Sequence, residues 1–259
     1  MSLDYNLDFI IDKSKKSNIK KAISILERAY YSHQETSSFF LDPFEQRVIS
    51  QISEKNSIDI LFIGGNQSSE RKIFVANFYY EPLFEGNYLK ILKFSGQNIS
   101  HPDVLGALIH LGIDRSSIGD ISILDDSIEF AVLYEDASLI KYNLTKIKRE
   151  GITIEIKEDN HLNLKDLDYL EHSGFVSSLR IDNIVSLILN ISRTKAKNII
   201  NSKLVKVDFQ YITDPSFMLK EGSLISIRKE GRFIFDKING LSKKGNYHIE
   251  YRKIVWFIY

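Results

Sequence analysis

The sequence predicts an α+β fold, in which a mixed body of helices and strands precedes a helix pair and a small β-sheet. Three observations support this prediction. Before Lys157, helical and strand-like patterns are mixed rather than strictly alternating, which disfavours a doubly wound sheet. Two helical patterns follow in quick succession after Val176. Beyond Lys203, apolar residues recur at every second position, as expected for strands with one buried face.

The first segment is predicted to be a small helical unit over residues 1–56. Apolar residues at helical spacing predict a helix from Asn18 to Ser32. A second helix is predicted from Pro43 to Glu54, because Asp42 can cap it and proline suits a first helical position.

Residues 57–160 are predicted to form a mixed α+β domain, because short β-branched runs are separated by glycine-containing turns and helical stretches. The expected strands are Ile58–Ile63, Lys72–Phe78, Tyr88–Phe94, Gly119–Ile123, Ile128–Tyr134 and Ile152–Lys157, and the expected helices are Asp103–Leu111 and Ala137–Arg149.

The polar stretch over residues 161–176 predicts a linker to a C-terminal domain over residues 177–259. Ser177 or Ser178 can cap the first helix of that domain, and Ser192 can cap the second. The final run IVWFIY is too short to span a membrane and is expected to end a strand.

The charge of the chain is unevenly distributed. The whole chain has 34 Lys and Arg against 34 Asp and Glu. Val176–Tyr259 has 15 Lys and Arg against 7 Asp and Glu, a net charge of +8, which leaves −8 on the first 175 residues. A basic C-terminal module on an acidic body is typical of a tethered nucleic-acid-binding domain.

The composition disfavours several other classes of protein. Without cysteine there are no disulfides, thiol nucleophiles or cysteine-based zinc sites. The start has no cationic leader before an apolar run, and no apolar stretch approaches the roughly 18 residues of a membrane span, so a cytoplasmic protein is expected. The six His are scattered, and Gly64-Gly65 lacks nucleotide-loop spacing; we expect neither metal nor cofactor.

The second C-terminal helix is predicted to carry a cationic stripe. At helical spacing, Arg193, Thr194, Lys197 and Asn201 form one polar face beside Ala196, Ile199 and Ile200. Cations one turn apart near a helix N-terminus suit a phosphate backbone, although such a stripe can also be an ordinary solvated face.

Several segments resemble the S4 RNA-binding domain, in which two helices pack on a small sheet and grip structured RNA. They are LRID at Leu179–Asp182, SRTKAKNII at Ser192–Ile200, LVKVD at Leu204–Asp208, DPSF at Asp214–Phe217 and EGSLISIR at Glu221–Arg228. The sequence departs from the S4 pattern at Lys203, where Gly is usual, at Asp208, where Asn is usual, and at Ser223, where Asp is usual.

Over nearly its whole length the chain also resembles the bacterial YlmH-type S4 proteins. The segments are FLDPFEQ at Phe40–Gln46, the Gly64-Gly65 turn with Glu70–Lys72, His101–Ile121 and Val176–Asp182. The resemblance implies an RRM-like domain before the S4 domain. It also implies a role in ribosome-associated quality control, by binding 23S rRNA or tRNA on the large ribosomal subunit carrying a peptidyl-tRNA.

The predicted RNA-binding residues combine this resemblance with the positive charge. They are Arg180, Arg193, Thr194, Lys195, Lys197, Lys203, Lys206, Arg228, Lys229 and Arg232. Asp182 is predicted to orient or cap a helix. Phe209 and Tyr211 could stack on a base, but core packing is the favoured interpretation.

We predict a non-catalytic, monomeric RNA-binding protein without catalytic residues. His101-Pro102-Asp103 could suggest an acid–base pair, but a helix start explains it better. A pseudouridine-synthase-like enzyme is an alternative, because Arg180-Ile181-Asp182 echoes that family's catalytic motif; a cell-division scaffold is a third hypothesis. The middle sheet lacks an RRM aromatic signature and is assigned to scaffolding or protein contact, with Arg71 and Lys72 as minor RNA candidates.

Overall fold

The chain folds into two compact units, Met1–Lys165 and Asp166–Tyr259. The computed structural model describes residues 3–78, 83–125 and 127–255. Because the first unit contains both the predicted helical segment and the predicted α+β domain, the boundary between residues 56 and 57 stays a prediction.

The helices of the first unit begin where their capping residues allow. They are α1 (Lys13–Ser32), α2 (Pro43–Lys55), α3 (His101–His110) and α4 (Tyr134–Asn143). The first begins earlier than predicted, because the Asp12 side chain accepts hydrogen bonds from the backbone N–H groups of Ser14 and Lys15. The predicted cap of α2 is confirmed, since Asp42 and Glu45 form a capping box.

The described residues of the first unit form two antiparallel sheets and a short hairpin. The three-stranded sheet has the order β1-β3-β2, with β1 (Thr36–Ser37), β2 (Ile60–Ile63) and β3 (Ile73–Ala76). The four-stranded sheet has the order β5-β6-β4-β9, with β4 (Leu89–Phe94), β5 (Ile118–Ile123), β6 (Ile128–Leu133) and β9 (Glu155–Ile156). The hairpin pairs β7 (Lys146–Ile147) with β8 (Glu150–Gly151).

The hairpin corrects the predicted helix over Ala137–Arg149. The helix α4 ends at Asn143, and Lys148 in the hairpin turn has a φ of 54°. That left-handed conformation is incompatible with a helix interior.

Apolar residues cover the four-stranded sheet on both faces. Leu92 and Phe130 lie on one face, in a core with α3 and α4. Ile91 and Ala131 lie on the other face, in a core with Phe40 and with strands β2 and β3. A sheet buried in this way serves as an internal layer of the unit.

The second unit is a helix pair packed on one antiparallel sheet, as predicted. Its helices are α5 (Ile181–Ile188) and α6 (Arg193–Asn201). Its strands are β10 (Asp168–Val176), β11 (Val205–Val207), β12 (Gln210–Tyr211), β13 (Leu224–Ile227), β14 (Gly231–Leu241) and β15 (Tyr247–Val255), in the order β10-β15-β14-β13-β11-β12. Of the predicted final strand, residues 256–259 lie outside the described residues.

The predicted linker over residues 161–176 is wrong in its second half. Strand β10 pairs with β15 along its whole length, from Asp168 opposite Val255 to Val176 opposite Tyr247. It is an edge strand and is exposed except near its end. Its polar sequence is typical of a loop, but its backbone forms strand hydrogen bonds with β15, whose residues lie more than seventy positions further along the chain.

The first helix of the pair starts later than predicted. Arg180 occupies the N-cap position of α5 rather than Ser177 or Ser178. Both serines instead accept hydrogen bonds from the side-chain amide of Asn183, at 3.0 Å and 2.7 Å. The loop before α5 is thus tied to the first turn of the helix.

Within residues 3–78, 83–125 and 127–255, no helix has both the length and the apolar character of a membrane span.

Lys203 strains the end of α6, since its φ is 57° where glycine would be relaxed. We expect Lys203→Gly to raise the free energy of unfolding by roughly 0.5–1 kcal/mol in urea denaturation. Asn190 follows α5 in the same conformation, with a φ of 50°, and is the matched control. Because asparagine tolerates this region better, Asn190→Gly should stabilise less; an equal gain would contradict the argument.

Candidate RNA-binding surface

The helix α6 presents cations to solvent on both sides of its buried edge. Ser192 caps it by accepting a hydrogen bond from the Lys195 backbone N–H at 3.3 Å. Lys195 and Lys197 are exposed, whereas Ala196 and Ile200 are buried against the sheet. Because the first turn contains no acidic residue, the cations and the helix dipole both favour an anion at this end.

The buried carboxylate of Asp182 organises the start of both helices. Its side chain is fully buried. Arg180 donates to it from Nε at 3.2 Å and from Nη2 at 3.1 Å, and Arg193 donates from Nε at 3.0 Å and from Nη2 at 3.3 Å. Two bidentate arginine–carboxylate contacts fix both guanidinium planes.

The same contacts keep Asp182 ionised. Burial by itself raises the pKa of this carboxyl, but the hydrogen bonds and positive charges of Arg180 and Arg193 outweigh burial, and the pKa lies below its ordinary value. Asp182 and Asp214 both act electrostatically on Arg180, and Arg193 is the more exposed of the two arginines. The arginine side chains are 34% and 45% exposed, so their outer edges can reach a phosphate.

The predicted site residues fall into two groups. Arg180, Arg193, Thr194, Lys195 and Lys197 belong to the helix pair. Lys206, Arg228, Lys229 and Arg232 belong to the sheet and its turns, and Lys203 lies between the end of α6 and the sheet.

The sheet group includes residues on the face away from the helices. Lys206 lies between Val205 and Val207, which are buried in the core under α5 and α6. Because side chains alternate along a strand, Lys206 points to the opposite face. Lys206 is therefore not part of the cationic surface at the start of α6.

Phe209 and Tyr211 were expected to pack in the core, and this prediction is wrong for Tyr211. Its side chain is 38% exposed, and Phe209 is half-buried at a turn. Neither ring belongs to the core between the sheet and the helices. The type of turn, which sequence spacing did not reveal, places both rings outside this core.

In the first unit, the side chain of Arg71 forms hydrogen bonds within the fold. Its guanidinium donates to the carbonyl oxygens of Ile118 at 2.9 Å and Phe40 at 2.8 Å. Lys72 donates to the carbonyl of Gln67 at 2.7 Å. These contacts give both residues structural roles.

The His101-Pro102-Asp103 segment forms a helix start, as the favoured interpretation predicted. Ser100 is the N-cap of α3, and Asp103 accepts from the Ser100 backbone N–H at 2.8 Å. Hydrogen bonds from Lys148 and Ser100 lower the pKa of Asp103 to about 2. A carboxylate bound in this way is poorly suited to be a general base at neutral pH.

Comparison with known proteins gives one family match in each of the two units. The family model described as "Putative RNA-binding domain in YlmH" matches residues 82–161, and the S4 domain model matches residues 179–225. "Ribosome-associated protein quality control protein P2" of Bacillus subtilis (strain 168) is 28% identical over 220 residues, covering 83% of this chain and 85% of that protein. The solved structure of "Cell division protein ylmH from Streptococcus pneumoniae" matches this chain with a TM-score of 0.50 and 14% identity. The match covers 59% of this chain and 96% of that chain, and it shows similarity of fold alone.

The helix pair and sheet, with the match over residues 179–225, define the chain as an S4-domain RNA-binding protein. The match over residues 82–161 and the Bacillus subtilis relative, which covers similar shares of both chains, indicate which type of S4 protein this chain resembles. The chain therefore contains, in this order, the two domains that the YlmH RNA-binding model and the S4 model describe, and the resemblance to YlmH-type S4 proteins found in the sequence is confirmed.

We expect Asp182→Asn to lower the free energy of unfolding of the second unit at pH 7 by about 2–3 kcal/mol, because hydrogen bonds between charged groups are lost. The folded pKa of Asp182 is lowered, so its stabilisation is present above its unfolded pKa of about 3.9 and is lost as the pH falls through the folded value. Wild type and variant should therefore converge in urea denaturation only as the pH falls below the lowered folded pKa of Asp182.

The matched control is Asp236→Asn, which removes another bidentate carboxylate contact, with Arg252 at 2.6 Å and 2.7 Å. Its side chain is 21% exposed, so the loss should be smaller. A difference for Asp182→Asn that stays constant from neutral to acid pH would refute the electrostatic role.

Proposed function

We propose that this protein is a non-catalytic RNA-binding factor in the rescue of stalled ribosomes. In this proposal, the second unit binds 23S rRNA or tRNA on a large ribosomal subunit that carries a peptidyl-tRNA. Such a partner implies a cytoplasmic location, and a monomer suffices for this contact.

The start of α6 is the observation that carries the proposal. Arg193 is fixed by Asp182, and Lys195 and Lys197 stand exposed one helical turn or less away. Pre-ordered guanidinium groups, mobile ammonium groups and free helix N–H groups together suit the phosphates of structured RNA. The unit Asp166–Tyr259 has 15 Lys and Arg against 10 Asp and Glu, which supports the same partner.

The ribosomal part of the proposal is supported by the relative in Bacillus subtilis, whose name places it in ribosome-associated quality control. That relative is similar to this chain over both units, since the similarity covers 83% of the chain.

The pseudouridine-synthase-like alternative is disfavoured by the position of Asp182. Its carboxylate is fully buried and holds two arginines at 3.0–3.3 Å, so a flipped base could not reach it. We therefore assign Asp182 a structural role and propose no catalytic residue.

The phosphate contacts are tested with Lys195→Ala/Lys197→Ala. Arg193 is left in place, because its replacement would also disturb the buried Asp182. We expect weaker binding to structured ribosomal RNA and a log–log salt slope that is smaller by up to roughly 1.4–1.8, since each phosphate contact contributes about 0.7–0.9.

The control variant is Lys243→Ala/Lys244→Ala, which removes the same charge from an exposed turn between β14 and β15. It should leave the slope close to that of wild type. Equal effects of the two double variants would mean that only net charge matters and would move the RNA surface away from α6.

The ribosomal role is tested by sucrose-gradient sedimentation of a lysate containing tagged wild type or the α6 double variant, followed by sequencing of the bound RNA. Wild type should sediment with large subunits and tRNA, and the variant should stay near the top. Wild type that never enters the ribosomal fractions would refute the ribosomal role, even if RNA binding in vitro persists.

A further inference from the structure

One row of side chains crosses the sheet of the second unit on the face away from α5 and α6. The pairing registers align Tyr211 with Lys206, Lys206 with Ser226, Ser226 with Arg232, Arg232 with Ile254, and Ile254 with Tyr169. Aromatic side chains thus lie at both ends of the row, with cations between them.

The turn between β11 and β12 adds a third ring at one end of this row. Asp208 and Phe209 form the two-residue turn, with φ values of 46° and 69°. Such a hairpin turn requires positive φ at both positions, which Asn-Gly would adopt at little cost. A phenylalanine there strains the backbone, and it places a ring 5.5 Å from the guanidinium of Arg232.

The turn is held in place by two hydrogen bonds to strand β13. The Asp208 carboxylate accepts from the Leu224 N–H at 2.9 Å, and the Asp208 N–H donates to the Leu224 carbonyl at 2.9 Å. The position of Phe209 is therefore fixed by the sheet.

The two ends of the row differ in charge. Lys206 lies 4.5 Å from the ring centre of Tyr211, and Arg252 lies 4.5 Å from that of Tyr169. Arg252 also forms a bidentate ion pair with Asp236, and Glu171 lies opposite it in register. The Tyr169 end thus has Arg252 against the two carboxylates of Asp236 and Glu171, whereas the Tyr211 end has Lys206 and Arg232 against the one carboxylate of Asp208.

We propose that the Tyr211 end of this face, formed by Lys206, Phe209 and Tyr211, binds single-stranded RNA. Bases stack on the two rings, and Lys206 contacts the phosphate backbone. The inference rests on the proposed function, because it assumes that the second unit binds RNA, and it adds a surface separate from the cationic start of α6.

The chemistry favours a single strand over a duplex. In a duplex the bases are stacked on one another and offer no open faces, whereas unpaired bases stack on aromatic side chains without strong sequence preference. The helix α6 has a different character, since it offers cations and N–H groups and contains no aromatic residue.

The proposal is tested on the full chain with a labelled oligouridylate of about 12 nucleotides, a length within the usual range of single-strand sites, beside a fully paired RNA hairpin. Tyr211→Ala should weaken oligouridylate binding by roughly fivefold or more, because each stacked base contributes at least that factor. Binding of the paired hairpin should be unchanged.

Phe209→Gly separates binding from stability. Glycine relaxes the positive φ, so the free energy of unfolding should stay equal or rise, while oligouridylate affinity falls. Tyr169→Ala is the matched control, because Tyr169 and Tyr211 are both 38% exposed and both lie 4.5 Å from a cation.

The proposal is overturned if Tyr211→Ala and Phe209→Gly bind oligouridylate like wild type, or if Tyr169→Ala loses as much affinity as Tyr211→Ala. If only this inference fails, Lys195→Ala/Lys197→Ala still weakens binding of the structured RNA. If the proposed function fails, wild type binds neither RNA above the level of a neutral protein.

Discussion

The second unit depends on the burial of one carboxylate between two guanidinium groups. Asp182 lies in the first turn of α5, where a negative charge is favourable, and it reaches Arg193 at the first position of α6. Burying a charge without partners would be strongly unfavourable, so loss of an arginine partner of Asp182 would destabilise the packing of the two helices. The interaction that links the two helices therefore also orders the cationic surface.

The charges at the start of α6 are unfavourable for an isolated helix. Arg193 and Lys195 place positive charge at the positive end of the helix dipole, and no acidic residue in the first turn offsets it. Asp182 compensates for part of this repulsion from a neighbouring helix. A bound phosphate would compensate for the rest, so the local electrostatic conflict is consistent with anion binding.

Local features of the sequence predicted most of the elements but not their long-range contacts. The cap at Ser192 and the buried positions Ala196 and Ile200 follow from spacing within one helix. The strand state of β10 depends on pairing with β15, and its exposed edge position removes the apolar alternation that would reveal it. The shared use of Asp182 by two arginines depends on the approach of two helices, which no local pattern encodes.

Each unit contains a segment matched by an RNA-binding family model, but the two units offer different surfaces to RNA. In the first unit, Ile91 and Ala131 are covered by Phe40 and the three-stranded sheet, and Glu129 on the same face is bound by Lys157 at 3.0 Å and by Asn163. Bases cannot stack on a sheet face that is occupied in this way. An RNA contact of that unit would have to use surfaces other than this sheet face, whereas the second unit offers pre-ordered cations and exposed rings on its own surface.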